Sequence, residues 1–249
     1  MLHRTRTDRG RESGLTLIEI LISMIILSII TTFLVIGWIN MQQGAAFAVT
    51  TNDTRSVTRD AISRVGSELR AAQPTALPSV SASATAMPAG YPPLQTAGQW
   101  SVQFYSAFNN PNAVSDGTGV AAGVLRKTWI YVHVDGTTPG AMQTLYLKRD
   151  LNNNGTFDAG DLTIILAKNV VNKTLYDANG QAQEYSLFVY GYRTSSTSPV
   201  LWTDNRDGTL DLTTVVAVRS RVIVDVNPNH SPKYIDTTTT VRLRNASGG

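Results

Sequence analysis

The sequence contains no cysteine and little net charge. Without cysteine, neither disulfide bonds nor thiolate metal sites can form, so a folded domain in this chain must rely on its hydrophobic core. The formal net charge is only +3 over 249 residues. Such a mild balance gives no reason to expect a nucleic acid as the primary partner.

Familiar catalytic motifs are also missing. The chain has no Gly-x-Ser-x-Gly elbow, no His-Glu-x-x-His helix and no phosphate-binding glycine loop. Of its three histidines, His133 falls in a predicted strand and His230 in a loop rich in proline and asparagine. We therefore predict a protein that is not an enzyme, and we assign no catalytic residue.

The strongest positive feature is an apolar run at residues 15–39. Its 25 residues include a single charged side chain, Glu19. A helix of this length measures about 37 Å at ~1.5 Å per residue, enough to span a hydrocarbon core of roughly 30 Å. Serine and threonine are scattered along it, whereas a soluble core helix would carry a polar stripe. We predict a single membrane-spanning helix.

The flanks of this run predict its orientation. Four arginines precede it and two acidic residues offset them only in part: Arg4, Arg6, Arg9 and Arg11 against Asp8 and Glu12. Because basic flanks stay in the cytoplasm, the rest of the chain is expected to be exported. The run is too long for an ordinary secretory signal. An ionisable group inside a membrane segment also indicates a function for Glu19.

The start of the apolar run resembles the signal of a known family. Ser13-Gly14 followed by Leu15-Thr-Leu-Ile-Glu19 is similar to the class III signal of type IV pilins and type II secretion pseudopilins. The resemblance implies that a prepilin peptidase cuts after Gly14 and methylates the new amino terminus at Leu15. It also implies that Glu19 pairs with that terminus on a neighbouring subunit and sets its register. The chain departs from the family at Leu15, where phenylalanine is commoner, and it has no proline near residues 36–37.

Residues 40–73 predict a continuation of this helix that is amphipathic. Apolar residues recur every three or four positions, and the predicted stripe comprises Val57, Ala61, Ile62, Val65, Leu69 and Ala72. Two weak points, Gly44 and the run of poor helix formers at residues 50–54, predict a bend or local melting. The resemblance to the prepilin signal further implies that residues 1–14 are a cytoplasmic leader that the peptidase removes.

The rest of the chain predicts a linker and a β-rich head. Residues 74–98 are rich in proline, alanine, serine and threonine, as is typical of a linker, and residues 99–249 have the patterns of strands. The candidate strands are 100–108, 124–134, 142–149, 162–171, 184–192, 213–226 and 234–244. In the longest, even-numbered residues are expected to be buried and odd-numbered ones partly solvated. The predicted fold class is α+β, with the long N-terminal helix packed on an antiparallel sheet.

The head also resembles a subgroup of the same family. Leu166-Ala-Lys-Asn-Val170, the aromatic strand Phe188-Val-Tyr190 and the later run from Val216 to Val224 follow one another as in J-type minor pseudopilins and W-type minor pilins. This resemblance implies a minor structural subunit of a type IV pilus or type II secretion filament. Its partners would be the prepilin peptidase, other pilin or pseudopilin subunits and the cytoplasmic membrane, which it would leave for an extracytoplasmic filament.

One stretch of the head predicts a metal site. Residues 150–161 fit the twelve-residue calcium loop, with oxygen ligands at the side chains of five residues and the backbone carbonyl of a sixth: Asp150, Asn152, Asn154, Asp158 and Asp161, with Thr156. Asp161 replaces the usual bidentate glutamate, as in the calcium loops of dockerins. The expected role of Ca²⁺ is structural. The alternative is an Asn/Gly-rich turn that needs no metal.

Two weaker patterns leave alternatives open. The acidic turn at residues 204–211 fits either a second metal site or, more simply, a turn, because Arg206 intrudes among the ligands. Four arginines alternate on two predicted strands: Arg219, Arg221, Arg242 and Arg244. They indicate either a DNA-binding stripe, as in a competence pilin, or a solvated sheet face. A further alternative for the whole chain is a membrane-anchored, calcium-dependent surface or adhesion module that never polymerises.

Overall fold

The computed structural model describes residues 16–73, 92–106, 114–115, 121–122, 125–134, 142–152, 154–173, 175–176, 181–227 and 233–243. The predicted leader, with Gly14 and Leu15 at the predicted cleavage site, lies outside these segments. So do residues 74–91 of the predicted linker, together with His230 and Arg244.

The described residues form one long helix, one 3-10 turn and fourteen strands. The helix α1 is Leu17–Arg70 and the 3-10 turn is Leu212–Thr214. The strands are β1 Ala72–Gln73, β2 Thr96–Ala97, β3 Ser101–Ser106, β4 Val114–Ser115, β5 Ala121–Ala122, β6 Arg126–Val134, β7 Gln143–Arg149, β8 Leu162–Val170, β9 Leu175–Tyr176, β10 Ala182–Gln183, β11 Phe188–Tyr192, β12 Leu201–Thr203, β13 Val215–Asp225 and β14 Tyr234–Arg242.

The chain divides into two compact units, residues 1–50 and residues 51–249. In the first unit, the described residues are almost entirely exposed. The second unit contains the last part of α1 and all the strands. Helix α1 is continuous in its hydrogen bonding through Gly44 and residues 50–54, so the predicted local melting is not observed.

The helical part of the second unit packs on the head, as the apolar stripe predicts. Ala61, Ile62, Val65 and Leu69 belong to the hydrophobic core together with alternating residues of β3, β6, β7 and β13. The prediction of the stripe is wrong for its first residue, Val57. Val57 is exposed, whereas the neighbouring Thr58 is buried and donates its hydroxyl to the carbonyl of Thr54 at 2.7 Å.

The core is bounded by a ten-stranded antiparallel sheet. Its strand order is β1-β3-β6-β7-β8-β13-β11-β12, with β14 on β13 and β2 on β3. The fold class predicted from the sequence, a long N-terminal helix with an antiparallel sheet, is therefore confirmed. Strand β2 and the fully buried Leu94 fall within the predicted linker, where no periodic pattern marked them.

The burial of β13 differs from the simple alternation that its sequence suggests. Val218, Ser220, Val222 and Val224 are buried as predicted, but Val216 is only half-buried, and of the odd-numbered residues only Arg219 and Arg221 are exposed or half-buried. The remaining odd residues of this strand are buried too. The cause is topological, because β13 is an interior strand: β14 pairs with one edge, and β11 and β8 share the other.

Asn172 completes the pairing between β8 and β13. The two strands share one residue pair, Val170 with Val224, before the chain turns away. Beyond it, the fully buried Asn172 side chain forms hydrogen bonds with the backbone of β13 in place of a neighbouring strand. Its Nδ2 donates to the carbonyls of Arg221 (2.8 Å) and Tyr185 (3.1 Å), and its Oδ1 accepts from the Ile223 N–H (2.9 Å).

We expect Asn172→Leu to lower the free energy of unfolding of the head by about 2–4 kcal/mol, because buried backbone groups of β13 lose their partners at roughly 1–3 kcal/mol each. Urea unfolding of the protein in detergent, followed by tryptophan fluorescence, measures the change. Asn227→Leu is the control, since Asn227 is a half-buried amide just beyond the same strand. Equal losses for the two variants would contradict this role for Asn172.

Candidate functional site

The first candidate site is the N-terminal part of α1, within the first unit. Between Thr16 and Asn52 the chain has one ionisable side chain, Glu19, which lies in the first turn of α1 and is exposed. In the described part of the chain, no basic group forms an ion pair with its carboxylate. A carboxylate in an apolar surrounding is unfavourable unless it is paired.

The surface around Glu19 is apolar on every side. Large exposed side chains run from Leu17 to Val49 without a buried face, and α1 is long and apolar enough to cross a membrane. Ser23 and Thr31 donate their hydroxyl groups within the helix, to the carbonyls of Glu19 and Leu27, each at 2.7 Å. Such a surface is suited to lipid or to other apolar helices rather than to water.

The second candidate site is the loop at residues 150–161, which joins β7 to β8. Asp150, at its first position, is fully buried, and its Oδ2 accepts from the Gly155 N–H at 2.7 Å. Gly155 has a φ of 81°, a conformation that glycine adopts without strain. At the last position, the two oxygens of Asp161 accept from the N–H groups of Leu151 (3.0 Å) and Asp158 (2.7 Å).

Three side chains of this loop converge on one point. Asn152 and Asn154 both donate through Nδ2 to Oδ2 of Asp158, at 3.0 and 3.1 Å. Hydrogen bonds, first from Asn152 and then from Gly160 and Asn154, hold the pKa of the Asp158 carboxyl below its usual value. The structure thus brings together the side chains at the third, fifth and ninth positions, which the sequence predicts to face a common centre.

The remaining features of the loop also fit a turn held by its own hydrogen bonds. Oδ1 of Asn152 accepts from the Asn154 N–H, and Oδ1 of Asn154 accepts from both the N–H and the hydroxyl of Thr156. Among the described residues, no three histidine, aspartate or glutamate side chains are grouped as a metal centre. Thr156 lies in the loop itself, where its backbone carbonyl is the predicted ligand.

A buried charge cluster in the head was missed by the sequence analysis. Glu68 is fully buried, and its Oε1 accepts from Arg149 Nη2 at 2.5 Å and from Arg64 Nε at 3.1 Å. Ser106 donates to its Oε2 at 3.4 Å. The four-residue spacing of Arg64 and Glu68 indicates by itself only a weak pair within the helix, and no local pattern places Arg149, 81 residues away, beside it.

The predicted arginine stripe is largely occupied by contacts within the head. Arg221 forms a bidentate pair with Asp236, with Nε 3.1 Å from both carboxylate oxygens, and this hydrogen bonding raises its pKa. The Arg219 guanidinium lies 4.3 Å from the centre of the Trp202 ring. Arg242 is exposed on β14. The described arginines therefore form a solvated and partly neutralised sheet face, which gives little support to a DNA-binding stripe.

The acidic turn at residues 204–211 is explained by local hydrogen bonds. Asp204 pairs with Arg206 at 3.3 Å, and Asp207 accepts from the Thr209 N–H at 3.2 Å. Asp211 caps the 3-10 turn by accepting from the Thr213 N–H at 3.0 Å. Each of these three carboxylates thus has a hydrogen-bond or ion-pair partner within the turn.

Comparison with known proteins gives one match, at the N-terminus. Residues 9–35 match the family model of the prokaryotic N-terminal methylation motif, a range that includes Gly14, Leu15 and Glu19. No curated protein and no solved structure matches the chain significantly. The match confirms the resemblance drawn from Gly14 and Glu19, and it does not extend to the head.

Proposed function

We propose, from the premise that this chain is a type IV pilin-like protein, that it is a minor pilin or pseudopilin in a filament. The premise rests on the methylation motif at residues 9–35 and on the apolar helix that follows. The observation that carries the proposal is the exposed apolar surface of α1 with the single carboxylate of Glu19. Neighbouring helices of the same kind would cover that surface.

The proposed life history begins in the membrane. The basic leader stays in the cytoplasm and the head is exported, because basic flanks are retained. Prepilin peptidase then cuts after Gly14 and methylates Leu15. The new amino terminus supplies the positive charge that Glu19 lacks among the described residues, either within the subunit or from its neighbour in the filament. This pair would set the axial register of the subunit.

A minor rather than a bulk role is supported by the size of the head. Its main sheet has ten strands, so the head is large. The subunit would therefore lie at or near the tip. Subunits of type IV pili and of type II secretion systems share these features, so the proposal covers both machines.

Intact-mass analysis of the protein from membranes and from sheared surface filaments tests this proposal. We expect a mass that begins at Leu15 and carries one added methyl group, and we expect the same species in the sheared fraction. Gly14→Val should retain the leader, whereas Gly10→Val, in the same leader, should be processed normally. An unprocessed mass confined to membranes would instead favour a membrane-anchored surface module that does not polymerise.

A further inference from the structure

The loop at residues 150–161 has one feature that its own hydrogen bonds do not explain. Oδ1 of Asp150 is buried and has no hydrogen-bond partner among the described residues. The other oxygen of the same carboxylate is bound inside the loop by Gly155. An unpartnered buried carboxylate oxygen is costly, and a loop that needed no ligand would be expected to satisfy or expose it.

Two basic side chains of β6 bind this loop through its backbone and not through Asp150 Oδ1. Lys127 Nζ donates to the Gly155 carbonyl at 3.0 Å, and Arg126 donates to the carbonyl of Leu151. Both therefore bind the loop through its backbone and stabilise its path from β6. The backbone of Asp150 is held in the same way, since its N–H donates to the Lys127 carbonyl at 3.0 Å. The loop is thus anchored at its first position, while one carboxylate oxygen of Asp150 has no hydrogen-bond partner in the described part of the chain.

We propose that this loop binds one calcium ion. Its ligands are the side chains of Asp150, Asn152, Asn154, Asp158 and Asp161 and the carbonyl of Thr156. Ca²⁺ takes six to eight oxygen ligands in flexible geometry. To serve as ligands, Asn152 and Asn154 turn away from Asp158 and present to the ion the Oδ1 atoms that now accept from the N–H groups of Asn154 and Thr156. The carboxylates of Asp158 and Asp161 turn from backbone N–H groups toward the ion, and Asp150 Oδ1 gains its missing partner.

The consequence for the head is local stiffening at the end of the β7–β8 hairpin. Phe157, inside the loop, lies 5.5 Å from Trp129 of β6 between ring centres, so the loop is packed on the outer side of the sheet. Arg149, the residue before the loop, holds the buried Glu68 of α1. Calcium would therefore stabilise a connection that leads from the exposed loop to the helix–sheet contact of the head. This proposal does not depend on whether the protein enters a filament.

Calorimetric titration of the purified full chain in detergent with CaCl₂ tests the proposal. We expect one saturable site per chain, with a Kd on the order of 10⁻⁴–10⁻³ M as in extracellular calcium modules. At a tenfold excess over Kd, thermal unfolding of the head should shift upward by about 3–6 °C. The tryptophan fluorescence of the chain, to which Trp129 contributes, should change over the same calcium range, and Mg²⁺ at equal concentration should produce neither effect.

Variants separate the loop from general charge effects. Asp158→Asn combined with Asp161→Asn should abolish the site, whereas Asp207→Asn, in the acidic turn at residues 204–211, should bind as the wild type does. Asn154→Ala, at an exposed position, should weaken binding by at least about tenfold if the double variant does not fold. No saturable calcium binding by the wild-type chain up to about 10 mM, or equal binding by the double variant, would overturn the proposal.

Discussion

Replacing Arg149 with methionine is expected to lower the free energy of unfolding of the head by about 3–5 kcal/mol, because the buried carboxylate of Glu68 then loses its main partner. Glu68 is fully buried and the Arg149 side chain is only 5% exposed, so water cannot solvate the charge that remains when its partner is removed. Glu68→Leu should cost a similar amount, since it leaves the Arg149 guanidinium uncompensated. Urea unfolding of the detergent-solubilised protein measures both values.

Two further variants identify the source of this effect. Arg64 is the outer partner of Glu68, and the Arg64 side chain is 30% exposed. Arg64→Met should therefore lower the free energy of unfolding by only about 1 kcal/mol or less. The double variant Glu68→Leu with Arg149→Met removes both buried charges and should be more stable than either single variant. Additive losses in the double variant would show that packing, and not the ion pair, accounts for the single-variant losses.

Glu19→Ala is expected to leave membrane insertion intact while reducing the protein in sheared filaments by at least about tenfold. Loss of about 1.4 kcal/mol of pairing free energy is enough for that factor, and pairing of a charge in an apolar surrounding is expected to exceed it. The carboxylate is the only ionisable side chain between Thr16 and Asn52, so no neighbouring residue can substitute for it. Quantitative detection of the protein in membrane and filament fractions measures the effect.

Ser23→Ala is the matched control for Glu19. Ser23 lies one turn further along α1, and its hydroxyl already donates to the Glu19 carbonyl, so its removal should leave the filament fraction unchanged. Glu19→Gln tests whether charge or hydrogen bonding matters, and it should resemble Glu19→Ala if pairing with a positive amino terminus sets the register. A normal filament fraction for Glu19→Ala would argue instead for a helix that serves only as an anchor.

The strands were predicted better than the contacts between them. The six main strands after β3 start and end within about four residues of their predicted limits, because period-two burial and turn residues are local signals. The pairing of β13 with β14, β11 and β8 is not local, and neither is the amide of Asn172 that extends it. A single asparagine after a strand ordinarily predicts only a turn.

The sequence by itself determined the membrane-length helix, its solitary carboxylate, the match to a methylation motif and the spacing of oxygen-bearing side chains in the loop at residues 150–161. Each of these depends on residues close together in the chain. The tertiary structure decided that Glu68 is buried on Arg149 and that Arg221 is paired with Asp236. It also decided that one oxygen of Asp150 is buried without a hydrogen-bond partner among the described residues.

The physical reason for this division is distance along the chain. Periodicity, charge and ligand spacing are properties of neighbouring residues and can be read before the chain folds. Burial of a charge and satisfaction of a carboxylate oxygen depend on partners that only the folded sheet and helix bring together, such as Arg149 beside Glu68 across 81 residues.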